Sequence, residues 1–359
     1  MKRIRNSNIE ILRIISMIFI VLSHYTVHNG ISNLSLPLNI NRLLLEIATL
    51  GNIGVILFVM ISGYFMIEQK EFKLKRVISL YLQIVFYSIL IYFVFIILGK
   101  DIFSIKRLIK YFLPITYGEY WFMSCYMILY IFSPFLNKLL INLKKKEYIN
   151  LIMLMIFLFS ILSTITGRTF YGNELVQFVM FYSIGGYFKK YPKNKFNNNK
   201  LSKRVFFITS LLLILSTIFF DIMGSQYSVF NNHTTYFFQR NSILSIIFSI
   251  SLFNIFINKK EFNNKLINII SSCTLGVYLI HDNNLVRNVL WTNVLKVYKY
   301  VNSNYLIIHM ILSVIIIFIV CTIIEYIRKN TVEKITNKLI DKLSILENKF
   351  KLLYKRLIK

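Results

Sequence analysis

Acidic side chains are scarce in this 359-residue chain, with 15 Asp and Glu against 42 Lys and Arg, and charged residues of both signs make up only 16%. A soluble domain has about a quarter charged residues in its whole composition. The pair of water-soluble domains that the length suggests, at about 150 residues each, is therefore excluded. Cysteine is limited to Cys125, Cys273 and Cys321, far apart and without a CxxC spacing. That excludes a disulfide framework or a thiolate metal site and leaves three small buried hydrophobes. Proline occurs only 4 times, which removes the main interruption to long helices. Disorder is excluded by the opposite feature, an abundance of 32 Phe and 23 Tyr.

What the chain does have is long apolar runs, 56% hydrophobic residues in all. A bilayer core about 30 Å thick takes roughly 20 apolar residues per helix. Ten segments qualify, centred on 9–28, 46–67, 77–98, 119–141, 148–166, 174–188, 205–223, 241–258, 267–283 and 304–327. The sixth is interrupted by Gly185 and Gly186, the ninth by Ser271, Ser272 and Gly276. The run 105–117 is too short and too basic to span, so it is expected at the interface or re-entering. The basic, then apolar start MKRIRNSNIEILRIISMIFIVLSHYTVH has Arg13 inside the run and no small-residue cleavage site after it, so it reads as a retained first helix. The expected fold is an all-α polytopic membrane bundle.

Charge gives the orientation. With the N-terminus inside and loops assigned alternately, 31 Lys and Arg fall inside and 10 outside, Arg13 being within the membrane. This excess places both termini in the cytoplasm by the positive-inside rule. Only the loop 99–110, with Lys100, Lys106, Arg107 and Lys110, goes against it. The net charge of +27 is thus explained by membrane insertion, without a nucleic-acid partner. Residues 1–327 form the membrane domain. In the tail 328–359, Ile335, Leu339, Leu343, Leu346, Phe350 and Leu353 recur at helical steps, the pattern of a basic amphipathic helix on an anionic membrane surface or on the cytoplasmic loops.

Ionisable residues inside a span are costly and face a cavity or a partner. The first helix has Glu10, Arg13, His24 and His28. Eleven residues at about 100° each bring Arg13 and His24 to within about 20° of eclipsed, about 16–17 Å apart along the axis. One face thus carries a cation near the inner boundary and an imidazole near the outer one. Arg13 can alternatively snorkel or pair with Glu10. His24 and His28 have the i, i+4 spacing of metal ligands, but there is no Glu in an HExxH pattern and no evident third ligand, so no metal is expected.

Arg13-x10-His24, within NIEILRIISMIFIVLSHY, resembles the first-helix signature of the acyltransferase 3 family of integral membrane acyltransferases. LFVMISGYFM (57–66) is similar to its FxxSGY segment, and the basic FKLKRVISLY follows it. GEYWFMSCYMILYIFSPFLNKLL (118–140), FYSIGGYFKKY (181–191) and TLGVYLIHDNNLVRNVLW (274–291) resemble the later segments in the same order. The resemblance implies about ten helices and transfer of an acyl group, usually acetyl, from cytoplasmic acetyl-CoA to a sugar hydroxyl of a surface polysaccharide. It makes His24 the essential imidazole and Arg13 its partner.

The residues fit that chemistry. Removing a hydroxyl proton needs a base of pKa near neutrality, and imidazole titrates at about 6.5. The phosphates of CoA need cations on the entry side, for which Arg13, Lys75 and Arg76 are placed. Glu119 can orient His24 or hold a sugar hydroxyl, or be a boundary carboxylate. Trp121 can stack on a sugar ring, or belong to the aromatic belt. His281, followed by Asp282, Asn283 and Asn284, is either a substrate-binding cluster near the outer face or a capped helix end. His309 reads as a core histidine and His233 as a loop residue. Gly51, Gly54 and Gly63 suit close helix packing. A transporter or flippase of lipid-linked glycans remains the alternative, although transport gives no reason for the Arg13–His24 spacing. A glycan polymerase would need larger, Arg-rich outer loops.

Overall fold

A computed structural model describes residues 5–28, 39–168, 172–194, 196–230, 233–342 and 354. Its helices, in chain order, are α1 Ser7–Val27, α2 Ile40–Ile47, α3 Gly51–Met66, α4 Leu74–Ile97, α5 Ile105–Phe112, α6 Trp121–Asn142, α7 Lys145–Ile156 and α8 Leu162–Thr166. They continue with α9 Glu174–Lys190, α10 Asn199–Gln226, α11 Ile243–Ile257, α12 Lys265–Ser272, α13 Thr274–His281, α14 Asn284–Asn288, α15 Leu306–Asn330 and α16 Val332–Lys342. No strand occurs among the described residues.

Seven helical stretches are long and apolar enough to cross a membrane: Ser7–Val27, Ile40–Met66, Leu74–Ile97, Trp121–Asn142, Lys145–Thr166, Asn199–Gln226 and Leu306–Lys338. The other three expected spans are helical too, but shorter, as α9, α11 and the pair α12–α13. The protein is an all-α multi-pass membrane bundle. Its apolar surface agrees: on α15, Ile308, Leu312, Ile315, Ile319 and Ile323 form an exposed stripe, and α10 adds Phe207, Leu211, Leu215 and Ile222. Such a belt is at home against lipid tails.

Two interruptions turn out differently from each other. The ninth span does break, at Cys273 between α12 and α13. The sixth does not, since α9 runs unbroken through Gly185 and Gly186. Those glycines are there for contact. A Cβ on Gly185 would land on the Met60 carbonyl oxygen of α3, and one on Gly63 of α3 would land on the Tyr182 carbonyl oxygen of α9. The two backbones touch at mutually placed glycines, the way small residues bring membrane helices together. The run 105–117 contains α5, folded back on α4: the Tyr92 hydroxyl accepts from the Ser104 N–H at 2.8 Å and Tyr81 donates to the Phe112 carbonyl at 2.8 Å.

Loops assigned to the same side meet one another. At the basic end, Ser7 N–H donates to the Phe262 carbonyl at 2.8 Å, and Lys190 reaches the carbonyls of Leu140 and Leu143. At the opposite end Arg42 pairs with Asp221 at 2.8 Å, and Asn41 donates to the Val301 carbonyl at 3.0 Å. The aberrant basic loop 99–110 lies at this opposite end, with Arg107 paired to Asp101 and Lys110 to Glu119. Two of its four cations are therefore neutralised locally. In the tail, α16 packs beside α4 and α15, with Arg328 bridging Glu325 and Glu333, and Ile340 is buried while Ile335 is exposed. Of the tail's expected apolar positions, Leu343, Leu346, Phe350 and Leu353 lie outside the described residues, as does the side chain of Leu339.

Candidate active site

Two polar regions lie along one stripe of α1. At the basic end a cavity of about 900 Å³ opens between α1, α3, α6 and α12–α13. Ile9, Glu10, Arg13, Met17 and Ile20 of α1 line it at helical steps, and His24 is the next step on. Five cations, Arg5, Arg13, Lys73, Arg76 and Lys189, face two carboxylates, Glu10 and Glu261. An excess of positive charge in a confined, low-dielectric space recruits an anion.

Within the cavity Arg13 pairs with Glu10 at 2.7 Å, and Glu10 also accepts from the Ser271 hydroxyl. Arg13 thus makes the expected local pair with Glu10 and also lines the cavity. The Arg76 guanidinium lies 5.1 Å from the Tyr130 ring centre. Lys75 takes another direction. Its Nζ stands 2.5 Å from Asp341 of α16, and it is not among the cavity-lining residues. Lys73 lies on the cavity instead, as does Lys189 at the end of α9. Lys73 is the extended residue that caps α4, three positions before Arg76, so the helical pattern gave no sign of it.

The second region surrounds His24. Its Nδ1 lies 3.0 Å from Nε2 of His281, whose own Nδ1 is 2.5 Å from the Val277 carbonyl oxygen one turn back on α13. His281 is fully buried. Asp282 Oδ1 is 3.5 Å from His24 Nδ1 and 3.7 Å from His28 Nε2, and the Arg287 guanidinium is 2.9 Å from the same oxygen. Sequence reasoning singled out His281 and Asp282 but not Arg287. The histidine pair joins residues 257 positions apart, so spacing alone gives no sign of it. His24, His28 and Asp282 have candidate ligand atoms within 4.8 Å of one another, so the third ligand missing from the sequence is in fact present. The fixed positive charge of Arg287 on that carboxylate opposes a further cation there.

Asn283 makes the expected cap and a second bond across the bundle. It caps α14 by accepting from Leu285 N–H at 3.0 Å, and donates to the Tyr120 hydroxyl at 2.7 Å. Glu119 is nearly buried, paired with Lys110 at 2.6 Å and accepting from Asn284 at 3.0 Å, rather than touching His24. Through Asn284 it touches the start of α14, beside the cluster. Trp121 is partly exposed, with the Arg240 guanidinium 4.3 Å over its ring and Phe178 at its edge. His309 is half-buried and partnered, 2.8 Å from the Tyr25 hydroxyl and stacked on Tyr300 at 3.8 Å. His233 sits in the exposed loop before Tyr236.

An anion-attracting cavity at one end of a helix stripe, and an oriented imidazole at the other, can bind a phosphate-bearing donor and abstract a proton from an acceptor. Comparison with known proteins bears on that chemistry directly. No curated protein and no solved structure matches the chain. The Acyltransferase domain family, Acyl_transf_3, matches residues 6–327, nearly the whole protein, including both polar regions and every segment whose resemblance was noted in the sequence. The chain is a membrane acyltransferase and belongs to the acyltransferase 3 family.

Proposed function

We propose that this protein is an O-acetyltransferase of the cell membrane, moving the acetyl group of acetyl-CoA to a hydroxyl of a surface polysaccharide or its lipid-linked precursor. The observation that carries the reading is the single stripe of α1, which runs from a five-cation cavity to His24. By the positive-inside rule the cavity opens to the cytoplasm, where CoA is. Arg13, Arg76, Lys73 and Lys189 meet its phosphates, and the pantetheine arm follows Met17 and Ile20 toward the opposite end. Ile20, one turn before His24, lines the cavity together with Phe122 and Tyr278.

His24 takes the proton of the acceptor hydroxyl as its oxygen attacks the thioester carbonyl. The C–O bond forms, the C–S bond breaks, and the proton passes to the departing CoA thiolate. The acceptor glycan approaches from the end where Trp121, Glu119 and Asn284 lie. Neither step calls for a metal.

The test uses purified protein in lipid nanodiscs with acetyl-CoA, together with mass spectrometry of surface glycans from cells with and without the gene. Consumption of acetyl-CoA and loss of acetylated glycan in the deletion are expected. Intact acetyl-CoA with altered glycan export would favour the flippase reading instead.

A further inference from the structure

Donor and acceptor positions in the histidine pair determine where its protons sit. A backbone carbonyl only accepts, so the 2.5 Å contact to Val277 requires the proton of His281 to be on Nδ1. In neutral His281 the lone pair is then on Nε2. That nitrogen faces His24 Nδ1 at 3.0 Å, which must therefore carry the proton of His24. The lone pair of His24 is left on Nε2, the nitrogen that the pair does not use. Hydrogen positions follow here from the network of partners, as they must for any imidazole.

We infer that His281 is a positioning residue that holds His24 in the Nδ1–H tautomer and so makes His24 Nε2 the base. The inference rests on the acyltransfer role of His24 argued above, but its first half is a statement about tautomers and stands without turnover. Free imidazole side chains in water favour the proton on Nε2, so the tautomer inferred here has to be imposed. Val277 imposes it through His281, both from α13, and full burial of His281 removes water as a competing partner. Asp282, 3.5 Å from His24 Nδ1 and itself held by Arg287, lies on the same side of the ring. It favours a proton at Nδ1 and balances the imidazolium formed when Nε2 takes the acceptor's proton. The arrangement does for His24 what an orienting carboxylate does in other base-catalysed sites, with a second histidine as the acceptor.

The test has two arms. In the first, protein labelled with ¹⁵N-histidine is studied by solid-state NMR in lipid, with the His24 signals identified by their loss in His24→Ala. The expected result is a protonated Nδ1 and an unprotonated Nε2 in wild type, shifting toward Nε2–H in His281→Ala. The second arm measures acetyl transfer. His281→Gln keeps an acceptor at the position of Nε2 and is expected to retain most of the rate. His281→Asn can donate to Val277 but leaves His24 Nδ1 without its acceptor. His281→Ala and His281→Asn should lower kcat by about tenfold or more, within the range of up to about 10⁴-fold known for a wrongly set tautomer, with KM for acetyl-CoA unchanged. An unprotonated Nδ1 in wild-type His24, or a His281→Ala variant with unchanged tautomer and kcat, overturns the inference. Equal loss of kcat in the Gln, Asn and Ala variants would also overturn it, by showing a packing role. A wild-type protein that leaves acetyl-CoA intact overturns the transfer reading alone, and the NMR arm still decides the tautomer.

Discussion

At the scale of single residues, the assignment turns on which polar side chains share a space and which merely share a neighbourhood in sequence. Lys75 and Arg76 are adjacent, yet one pairs with Asp341 and the other lines the cavity. Arg76→Ala should therefore weaken CoA binding by about tenfold, the loss of one charge-assisted contact, and Lys75→Ala should leave it close to wild type. Calorimetric titration of both variants checks this, and equal affinities would remove Arg76 from the donor site. His24→Ala should lower acetyl transfer by about 10²–10⁴-fold, the usual contribution of a general base. Its level in the membrane should not change, because the residue lies near the end of α1. His28, 3.7 Å from Asp282 and outside the His24–His281 hydrogen bond, should give a much milder loss when replaced by Ala. Rates measured against protein level in membranes decide between them, and wild-type turnover in His24→Ala would end its catalytic assignment.

At the scale of elements, α1 is the organising helix, and α3 and α9 hold it in place. α3 packs on α1 along Gly51 and Gly54, where added Cβ atoms would meet Ser23 and Ser16, and on α9 through Gly63 and Gly185. Because the obstacle at Gly185 is the Met60 backbone, no rotamer change can make room. Gly185→Val should destabilise the bundle by about 1–3 kcal/mol or more, seen as a lowered Tm in detergent, whereas Gly99→Ala, with open space around it but a positive φ of 65°, should cost only local turn strain. An unchanged Tm for Gly185→Val would mean that the α3–α9 contact is looser than it stands here. The sequence showed the glycines but misread their effect on α9. A Gly-Gly pair weakens an isolated helix, and here tertiary contact repays that loss.

At the scale of the whole molecule, loops grouped by charge turn out to be grouped in space, so alternation along the chain and proximity in the bundle agree. The 31 to 10 division of Lys and Arg predicts the orientation itself. In a background with Cys125, Cys273 and Cys321 replaced by Ala, a cysteine at Asn304 should react with an impermeant maleimide in intact cells. One at Lys200 should react only after permeabilisation. The reverse pattern would turn the bundle over and put the cation-lined cavity on the side away from cytoplasmic CoA.

The sequence by itself determined the all-helical membrane fold, the positions of ten helical segments, the family, and the Arg13–His24 face. These are local or periodic properties: apolar length, 3.6-residue repetition, and motifs contained in single helices. The tertiary structure decided the rest. It brought His281 to His24, directed Lys75 away from the cavity and Lys73 onto it, tied Glu119 to Lys110 and Asn284, and set Arg240 over the ring of Trp121. Each of these depends on how helices distant in sequence are rotated and set against one another. That rotation is fixed by packing, such as the glycine contacts of α3 with α9, and not by the pattern along any one helix.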